Sequence, residues 1–135
     1  MIKIDYSLEV EQAIKNNDPL VALESTIITH GMPWPENLNT AKAVEAIVRD
    51  NGATPATIAI INGVIKVGLE DETLKELSTG RNTRKLSRAD LGHCLLKKET
   101  GSTTVAATMI IADLAGIKIF ATGGIGGVHK FAEKT

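Results

Sequence analysis

Four glycines close to the C-terminal end of the sequence form a first candidate binding loop. Gly123, Gly124, Gly126 and Gly127 follow the apolar stretch "IKIFAT". Glycine lets backbone N–H groups approach the phosphate or sugar oxygens of a ligand, and open α/β sheets bind ligands at the carboxyl ends of their strands. The dinucleotide fingerprint G-x-G-x-x-G is incomplete because His129 occupies its third position, which disfavours a nicotinamide-dependent dehydrogenase. A tight turn without a ligand also fits this pattern.

A second candidate is Glu24, an acidic residue inside the apolar stretch "LVALEST". A carboxylate on a covered strand needs partners or acquires a raised pKa, and a raised pKa suits a general acid or base. If the strand instead ends at Glu24, the side chain faces water and needs no such role. The residues alone leave both interpretations open.

Two further groups have the chemistry to contact an anionic ligand. Lys85 precedes the helix-capping pattern in "LSRADL" and is either a solvated surface charge or a phosphate anchor near a helix N-terminus. The stretch "GSTTVAATM" places Ser102, Thr103 and Thr104 at the start of an apolar helix. One hydroxyl is explained by N-capping, whereas three together also suit an anion.

The histidines and the cysteine show no metal-ligand spacing. His93 and Cys94 are neighbours on a predicted helix and point about 100° apart, so they cannot chelate one metal through helical spacing. We expect a structural role for His93, whereas His30 and His129 lie in predicted loops and remain candidates. A single cysteine excludes an internal disulfide.

Composition predicts one domain, spanning residues 1–135, of an ordinary globular protein. The chain is 43% apolar and 23% charged, with a formal net charge of −1, so no electrostatic argument favours nucleic acid or an anionic membrane. The N-terminal stretch lacks the apolar region of a signal peptide, and no apolar run approaches the roughly 20 residues of a membrane span. We therefore expect a cytoplasmic location and no membrane partner.

Helices that alternate with short apolar strands predict an α/β fold, a mixed but mostly parallel sheet flanked by helices (α/β/α). Hydrophobic spacing indicates a first helix in "SLEVEQAIKNN", a strand in "PLVALESTIITHG", and a helix from Asn39 with apolar positions at Ala43, Val44, Ile47 and Val48. Pro33 and Pro35 are expected to fix an extended segment between the last two elements.

The second half of the chain carries its own element signals. Asn62-Gly63, between two β-rich runs, predicts a type I′ hairpin. "STTVAATMIIADLAG" predicts a buried helix stopped by Gly116, followed by a strand over Ile117–Thr122. A parallel strand normally continues through a crossover, so the fold looks incomplete, and its open edge should promote association.

The combination of "VALESTIITHGMPWPEN", "GATPATIAIINGVIKVGL", "KLSRADL" and "GSTTVAATMIIADLAGIKIFATGGIGGVH" resembles the pseudouridine-5′-phosphate glycosidase family, in order from about Asp18 to Lys130. The resemblance implies an α/β/α homotrimer that depends on Mn²⁺. It also implies reversible cleavage of pseudouridine 5′-phosphate into uracil and ribose 5-phosphate, through a sugar adduct on a lysine.

The resemblance also implies residue roles. Glu24 matches the family's proton donor, and Lys85 a substrate-binding lysine. Val105, with its neighbour Thr104, matches a substrate contact, and Thr122 and His129 match the pocket wall. The family's manganese aspartate and nucleophilic lysine follow the glycine loop and would lie beyond Thr135, and Lys130 is not that nucleophile.

Two functional hypotheses follow from these residues. The first is the N-terminal portion of a pseudouridine-5′-phosphate glycosidase, without turnover as an isolated chain because the metal ligand and nucleophile are missing. The second is a non-catalytic remnant that binds a sugar phosphate or a partner chain.

Overall fold

Strands and helices alternate along the chain in the computed structural model, which describes residues 2–127 and 130–134. The strands are β1 (Ile4–Tyr6), β2 (Leu20–Leu23), β3 (Thr54–Ile61), β4 (Val64–Val67), β5 (Arg84–Leu86), β6 (Gly101–Thr103) and β7 (Ile119–Ala121). The α-helices are α1 (Leu8–Asn16), α2 (Glu36–Asp50), α3 (Asp71–Thr79), α4 (Leu91–Leu96) and α5 (Val105–Leu114). Shorter helical turns are Ile27–Gly31, Arg88–Asp90 and Ala132–Lys134.

The sheet is mixed and mostly parallel, as the sequence predicts. Its order is β1-β4-β3-β2-β7, with β6 added to β3 and β5 added to β6. The pairs β1–β4, β2–β3, β2–β7 and β5–β6 are parallel, whereas β3 is antiparallel to β4 and to β6. The antiparallel β3–β4 pair is the predicted hairpin: Asn62 and Gly63 both have positive φ, as a type I′ turn requires.

Helices cover both faces of this sheet. On one face, Ala56, Ile58 and Ile60 of β3 pack with residues of α1, α4 and α5. On the other face, Ala59 packs with residues of α2, α3 and the turn at Ile27–Gly31. Because successive side chains of a strand point to opposite faces, the apolar side chains of β3 contribute alternately to the cores on the two faces of the sheet. The α/β/α layering is confirmed.

Strands β2 and β6 share one edge of β3 and meet there end to end. The edge of β3 opposite β4 pairs with β2 over residues 54–57 and with β6 over residues 59–60. Since β2 runs parallel to β3 and β6 antiparallel, the carboxyl ends of β2 and β6 face one another at Ile58. Both chain segments that leave this point, after Leu23 and after Thr103, carry candidate site residues.

The predicted strand in "PLVALESTIITHG" is wrong beyond Leu23. Residues Ile27–Gly31 form a π-helical turn instead. The hydroxyls of Thr26 and Thr29 donate to the Thr103 carbonyl (2.8 Å) and to Ser102 Oγ (2.6 Å), so they bind β6 rather than extending a strand. Such side-chain hydrogen bonds compete with regular backbone ladders.

Helix α2 begins at Glu36, three residues before the predicted start, and Pro33–Pro35 forms a turn rather than an extended segment. Its buried side chains are Asn37, Ala41 and Glu45, which lie one above another at i, i+4 spacing. The apolar residues that predict this helix are not its buried face. Polar contacts select the other face, since Asn37 Nδ2 donates to the Ile28 and Ser78 carbonyls, each at 2.7 Å.

The C-terminal elements match their predictions in outline. Helix α5 precedes Gly116, which has φ +77°, as a stop signal requires. The helix is not buried all round, because Met109 and Leu114 are more than half exposed. The predicted strand over Ile117–Thr122 is shorter, Ile119–Ala121. Over the described residues, no helix is both long and apolar enough to span a bilayer.

Candidate functional site

Glu24 and Thr122 face each other directly after two neighbouring strands. Strands β2 and β7 are parallel with Leu23 opposite Ala121, so the next residue of each strand meets its counterpart. Thr122 Oγ1 donates a hydrogen bond to Glu24 Oε1 at 2.9 Å, and Glu24 is half-buried. The sequence leaves two interpretations of Glu24 open: a partnered carboxyl group on a covered strand, or a water-facing residue at the end of the strand. In the structure Glu24 directly follows the end of β2 and also has a specific hydrogen-bond partner, so neither interpretation holds by itself.

The start of the glycine loop is tied to the same hydroxyl. The Gly124 N–H donates to Thr122 Oγ1 at 3.3 Å, which closes a short turn over Gly123. This contact lets Thr122 accept from the loop while it donates to the carboxylate. The first turn of the glycine loop, as far as Gly124, is therefore tied to the Glu24 site, and His129 lies outside the described residues.

A cavity of about 160 Å³ opens beside this pair. Its wall is mostly apolar; the lining residues are Leu23, Glu24, Ile27, Ile28, Thr40, Ala41, Val44, Thr57, Ala121, Thr122 and Gly123. A carboxyl group at one end of an apolar pocket can bind a small ligand and exchange a proton with it, while the apolar walls exclude water. A larger depression of about 570 Å³ near Asn62 and Lys98 contains none of the candidate residues.

A buried hydroxyl network fixes the segment that carries Glu24. The Ile58 carbonyl accepts hydrogen bonds from Ser25 Oγ (2.6 Å) and Thr103 Oγ1 (2.8 Å). The Thr103 N–H donates to Ser25 Oγ at 2.8 Å, and Thr108 Oγ1 donates to Thr103 Oγ1 at the same distance. All three hydroxyl residues are fully buried. The network joins the exit of β2 to the exit of β6 at the point where the strands meet.

Thr104 and Val105 leave this network at the start of α5. Thr104 caps the helix, since its Oγ1 accepts from the Ala107 N–H at 3.4 Å. Of the three hydroxyls at residues 102–104, those of Ser102 and Thr103 are fully buried and hydrogen-bonded inside the protein. Capping and internal bonding therefore account for all three, and Val105 is half-buried as the first residue of the helix.

Lys85 lies on β5, opposite Ser102 of β6, and its side chain is exposed. It does not line the cavity beside Glu24. Within the described ranges its ammonium forms no ion pair, whereas the neighbouring Arg84 binds Glu99 at 3.0 Å. The structure thus brings Glu24 and Thr122 together, places Thr104 and Val105 on the adjoining segment, and leaves Lys85 at the surface.

The part of the sequence that forms these elements matches a known protein family. A family model described as "Indigoidine synthase A like protein" matches residues 9–135. The chain belongs to this family.

Two curated relatives of this chain are both named pseudouridine-5′-phosphate glycosidase. The chain is 61% identical over 132 residues to the pseudouridine-5′-phosphate glycosidase of Staphylococcus aureus (strain MW2), covering 98% of this chain and 43% of that protein. It is 58% identical over 130 residues to the protein of that name from Geobacillus kaustophilus (strain HTA426), covering 96% and 43%. The resemblance to pseudouridine-5′-phosphate glycosidases is confirmed, and the chain spans less than half the length of these curated relatives.

Solved structures of the family share the fold. The prealnumycin C-glycosynthase AlnA, in complex with ribulose 5-phosphate, matches with a TM-score of 0.82 at 41% identity, over 96% of this chain and 42% of that one. An indigoidine synthase A-like protein from Thermotoga maritima also gives 0.82, at 28% identity and the same coverage.

The residues described here do not form a manganese site. In the ranges 2–127 and 130–134, no three His, Cys, Asp or Glu side chains are close enough to hold a metal ion. His30 Nδ1 is 2.6 Å from Thr29 Oγ1, and His93 Nε2 is 3.5 Å from Glu99 Oε1. Burial raises the pKa of the Cys94 thiol, so it is a poor nucleophile. No step of the chemistry is assigned to a metal held by these residues.

Sequence reasoning missed a buried acid next to the site. Glu45 of α2 is 5% exposed and accepts a 2.7 Å hydrogen bond from Thr57 Oγ1, and Thr57 lines the cavity. Burial raises the pKa of Glu45 despite this bond and the nearby Arg49 guanidinium. The sequence feature that could have identified Glu45 as buried is its i, i+4 spacing from Ala41 and Asn37 on α2. The apolar residues Val44 and Ile47 predict a different buried face of that helix.

Proposed function

We propose that this chain supplies the proton-transferring part of a pseudouridine-5′-phosphate glycosidase. Such an enzyme reversibly cleaves the carbon–carbon bond between ribose and uracil with consumption of one water molecule, which supplies the hydroxyl group of the released ribose 5-phosphate while uracil gains a hydrogen. The supporting observation is the Glu24–Thr122 pair at one end of an apolar cavity, at the carboxyl ends of two parallel strands. It occurs in a chain that is 61% identical to a relative of that name.

The bond to be broken explains why a carboxyl group is needed. The leaving atom is a ring carbon of uracil, so protonation of a bridging oxygen, as in O-glycosidases, is not available. As the bond breaks, its electron pair remains on that carbon, which takes a proton from an acid. In the synthetic direction the same group removes the proton. We assign this role to Glu24, with Thr122 Oγ1 orienting its carboxyl group.

The remaining contacts of the substrate are assigned from the family resemblance. We assign Lys85 to the 5′-phosphate, and its exposed ammonium group has the charge that such a contact needs. Val105 and Thr104 at the start of α5 are assigned to the substrate, and His129 to the pocket wall. We assign the manganese ligand and the sugar-binding lysine to the portion of the relatives that this chain does not match. A homotrimeric, cytoplasmic enzyme is part of the same proposal.

A chimera tests the assignment of Glu24. This chain replaces the 132 matched residues of the Staphylococcus aureus relative, and uracil release from pseudouridine 5′-phosphate with Mn²⁺ is followed. We expect an active chimera, and we expect Glu24→Gln to lower kcat by about 10² to 10⁴, the usual contribution of a general acid. Glu36→Gln, an exposed carboxylate at the start of α2, is the matched control. An active Glu24→Gln chimera would refute the assignment.

The alternative hypothesis, sugar-phosphate binding without turnover, concerns the 135-residue chain by itself. A related C-glycosynthase binds ribulose 5-phosphate, which favours a sugar-phosphate site in this family. We expect no uracil release from the isolated chain. Calorimetry with ribose 5-phosphate, comparing Lys85→Ala with the exposed control Lys97→Ala, separates weak binding from none. Uracil release by the isolated chain would show that it does not need the metal ligand and lysine assigned to the unmatched portion of the relatives.

A further inference from the structure

His30 and Lys85 share one surface above a buried serine. Lys85 of β5 is the register partner of Ser102 of β6. Register partners on neighbouring parallel strands lie about 4.8 Å apart and point to the same face of the sheet. Ser102 Oγ is 3.4 Å from His30 Nδ1, whereas the side chains of His30 and Lys85 are both exposed. The imidazole and the ammonium group therefore lie close enough to contact one small ligand.

A relay of hydrogen bonds fixes the imidazole of His30 from the protein side. Thr29 Oγ1 donates to Ser102 Oγ at 2.6 Å, and Ser102 Oγ donates to the Arg84 carbonyl at 3.3 Å. Because a hydroxyl group has one proton to donate, Thr29 Oγ1 can only accept at its other contact, which is His30 Nδ1 at 2.6 Å. The proton of that contact is assigned to Nδ1 from this network. Within the described residues Nε2 then has no partner and is open to a ligand.

Neither basic side chain of this surface is engaged by an acid. Within residues 2–127 and 130–134, His30 and Lys85 form no ion pair, whereas the neighbouring Arg84 binds Glu99 at 3.0 Å. An ammonium group next to an imidazole attracts an anion. The anion in turn favours the imidazolium form, in which both ring nitrogens donate. Nδ1–H then remains with Thr29, and Nε2–H is left to donate a charge-assisted hydrogen bond to the anion.

We propose that His30 binds the phosphate group of the sugar-phosphate substrate through Nε2, alongside Lys85. The inference rests on the proposed function, in which Lys85 contacts the 5′-phosphate. Thr29 and Ser102 are positioning residues, because they hold Nδ1 and thereby direct Nε2 to the surface. A phosphate dianion has three terminal oxygens, so it can accept from an imidazolium and an ammonium group at the same time.

His30 belongs to the same segment as the proposed proton donor. It follows Glu24 by six residues, and Ile27 and Ile28 between them line the cavity. Asn37 Nδ2 donates to the Ile28 carbonyl at 2.7 Å, which holds this segment to α2. One short segment then supplies the acid, part of the cavity wall and a phosphate contact.

Two amide substitutions distinguish the two nitrogens of the His30 ring. The amide of His30→Asn can take the place of Nδ1 and keep the Thr29 contact, whereas the amide of His30→Gln can reach the position of Nε2. Calorimetry of the chimera measures the binding of ribose 5-phosphate, inorganic phosphate and unphosphorylated ribose. His93→Asn, at an exposed histidine outside this cluster, is the matched control.

We expect His30→Asn to raise the Kd for ribose 5-phosphate and for inorganic phosphate about tenfold, because the charge-assisted hydrogen bond is lost. His30→Gln should raise either Kd by less than about threefold, and neither variant should change the binding of ribose. The opposite order, with His30→Gln weaker than His30→Asn, would overturn the proposal, because the ring would then serve only the contact with Thr29. So would a loss confined to ribose, parental affinity in His30→Asn, or a parent chimera that does not bind ribose 5-phosphate.

The same chimera separates this inference from the proposed reaction. Uracil release combined with an unchanged affinity of His30→Asn for ribose 5-phosphate would refute the phosphate contact alone. A chimera without uracil release, whose phosphate affinity still falls in His30→Asn, would refute the reaction and support the phosphate contact.

The tautomer of His30 is tested in the 135-residue chain without ligand. Heteronuclear NMR of the imidazole nitrogens, at a mildly alkaline pH where histidine is ordinarily neutral, distinguishes Nδ1–H from Nε2–H. We expect Nδ1–H in the parent chain and a loss of that preference in Thr29→Val, which removes the acceptor. An Nε2–H tautomer in the parent chain would contradict the relay and overturn the proposal.

Discussion

At the scale of single residues, the site depends on one hydroxyl that serves two groups. Thr122 Oγ1 donates to Glu24 Oε1 at 2.9 Å and accepts from the Gly124 N–H at 3.3 Å. A hydrogen bond within a protein contributes about 0.5–1.5 kcal/mol to stability. The hydroxyl therefore holds both the orientation of the carboxyl group and the first turn of the glycine loop.

Thr122→Val keeps the shape of this side chain and removes the hydroxyl. In the active chimera we expect kcat to fall about tenfold, the equivalent of roughly 1.4 kcal/mol, because the Glu24 carboxyl group loses its orienting donor. Thr122→Ser retains the donor and should restore most of the rate. Steady-state kinetics of uracil release provide the measurement, and equal rates for the Val and Ser variants would show that the hydroxyl has no positioning role.

At the scale of elements, the meeting of β2 and β6 on one edge of β3 organises the site. A carbonyl in the middle of β3, that of Ile58, accepts from the hydroxyls that follow or end these two strands, Ser25 and Thr103. Because both hydroxyls are fully buried, losing either one leaves polar groups without a partner in the core.

Ser25→Ala removes a donor to the Ile58 carbonyl and the acceptor of the Thr103 N–H. We expect the free energy of unfolding to fall by about 1–3 kcal/mol, the usual cost of an unsatisfied buried group. Thr79→Ala, an exposed hydroxyl on α3, should change it by less than about 0.5 kcal/mol. Urea denaturation of the 135-residue chain measures both, and equal effects would mean that the network adds nothing to stability.

At the scale of the whole molecule, ion pairs and one hydrogen bond connect α1, α2 and β3. Arg49 binds Glu9 with two hydrogen bonds of 2.7 and 2.8 Å and lies 3.3 Å from Glu45, which accepts from Thr57. The Arg49 contact lowers the pKa of Glu9, whereas burial raises that of Glu45. The two acids therefore give stability opposite dependences on pH.

The direction of each pH dependence follows from the linkage between proton binding and folding. A raised pKa in the folded state means that the contribution of Glu45 is fully present below its ordinary pKa of 4.5 and is lost as pH rises through the raised value. A lowered pKa means that Glu9 stabilises above 4.5 and loses this effect as pH falls through the lowered value.

Substitutions of the two acids should therefore diverge with pH. From about pH 4.5 to 7, we expect the stability of Glu45→Gln to rise relative to the parent chain, because a buried charge is avoided. The stability of Glu9→Gln should fall relative to the parent at lower pH, as pH rises from the lowered pKa of Glu9 to its ordinary value of 4.5. Urea unfolding from below pH 4.5 up to pH 7 tests both, and pH profiles that shift in the same direction for the two variants would contradict the opposite signs.

The sequence predicts much of this fold because local rules suffice for several elements. Asn62-Gly63 predicts the hairpin through the positive φ that both residues adopt, and Gly116 predicts the end of α5. The predicted strand after Leu23 is wrong because Thr26 and Thr29 bind residues of β6 that are more than seventy positions away. Self-association through the open edge remains a prediction.

By itself the sequence determined the family and the α/β class, and it offered Glu24 and Thr122 as candidates, Glu24 from its place in an apolar stretch and Thr122 from the family resemblance. Only the tertiary structure decided that these two side chains meet, that Lys85 lies apart at the surface, and that α2 buries Asn37 and Glu45 while Val44 and Ile47 stay exposed. The physical reason is that the buried face of a helix is chosen by its partners. Here the partners are carbonyls and a hydroxyl that distant segments bring to α2.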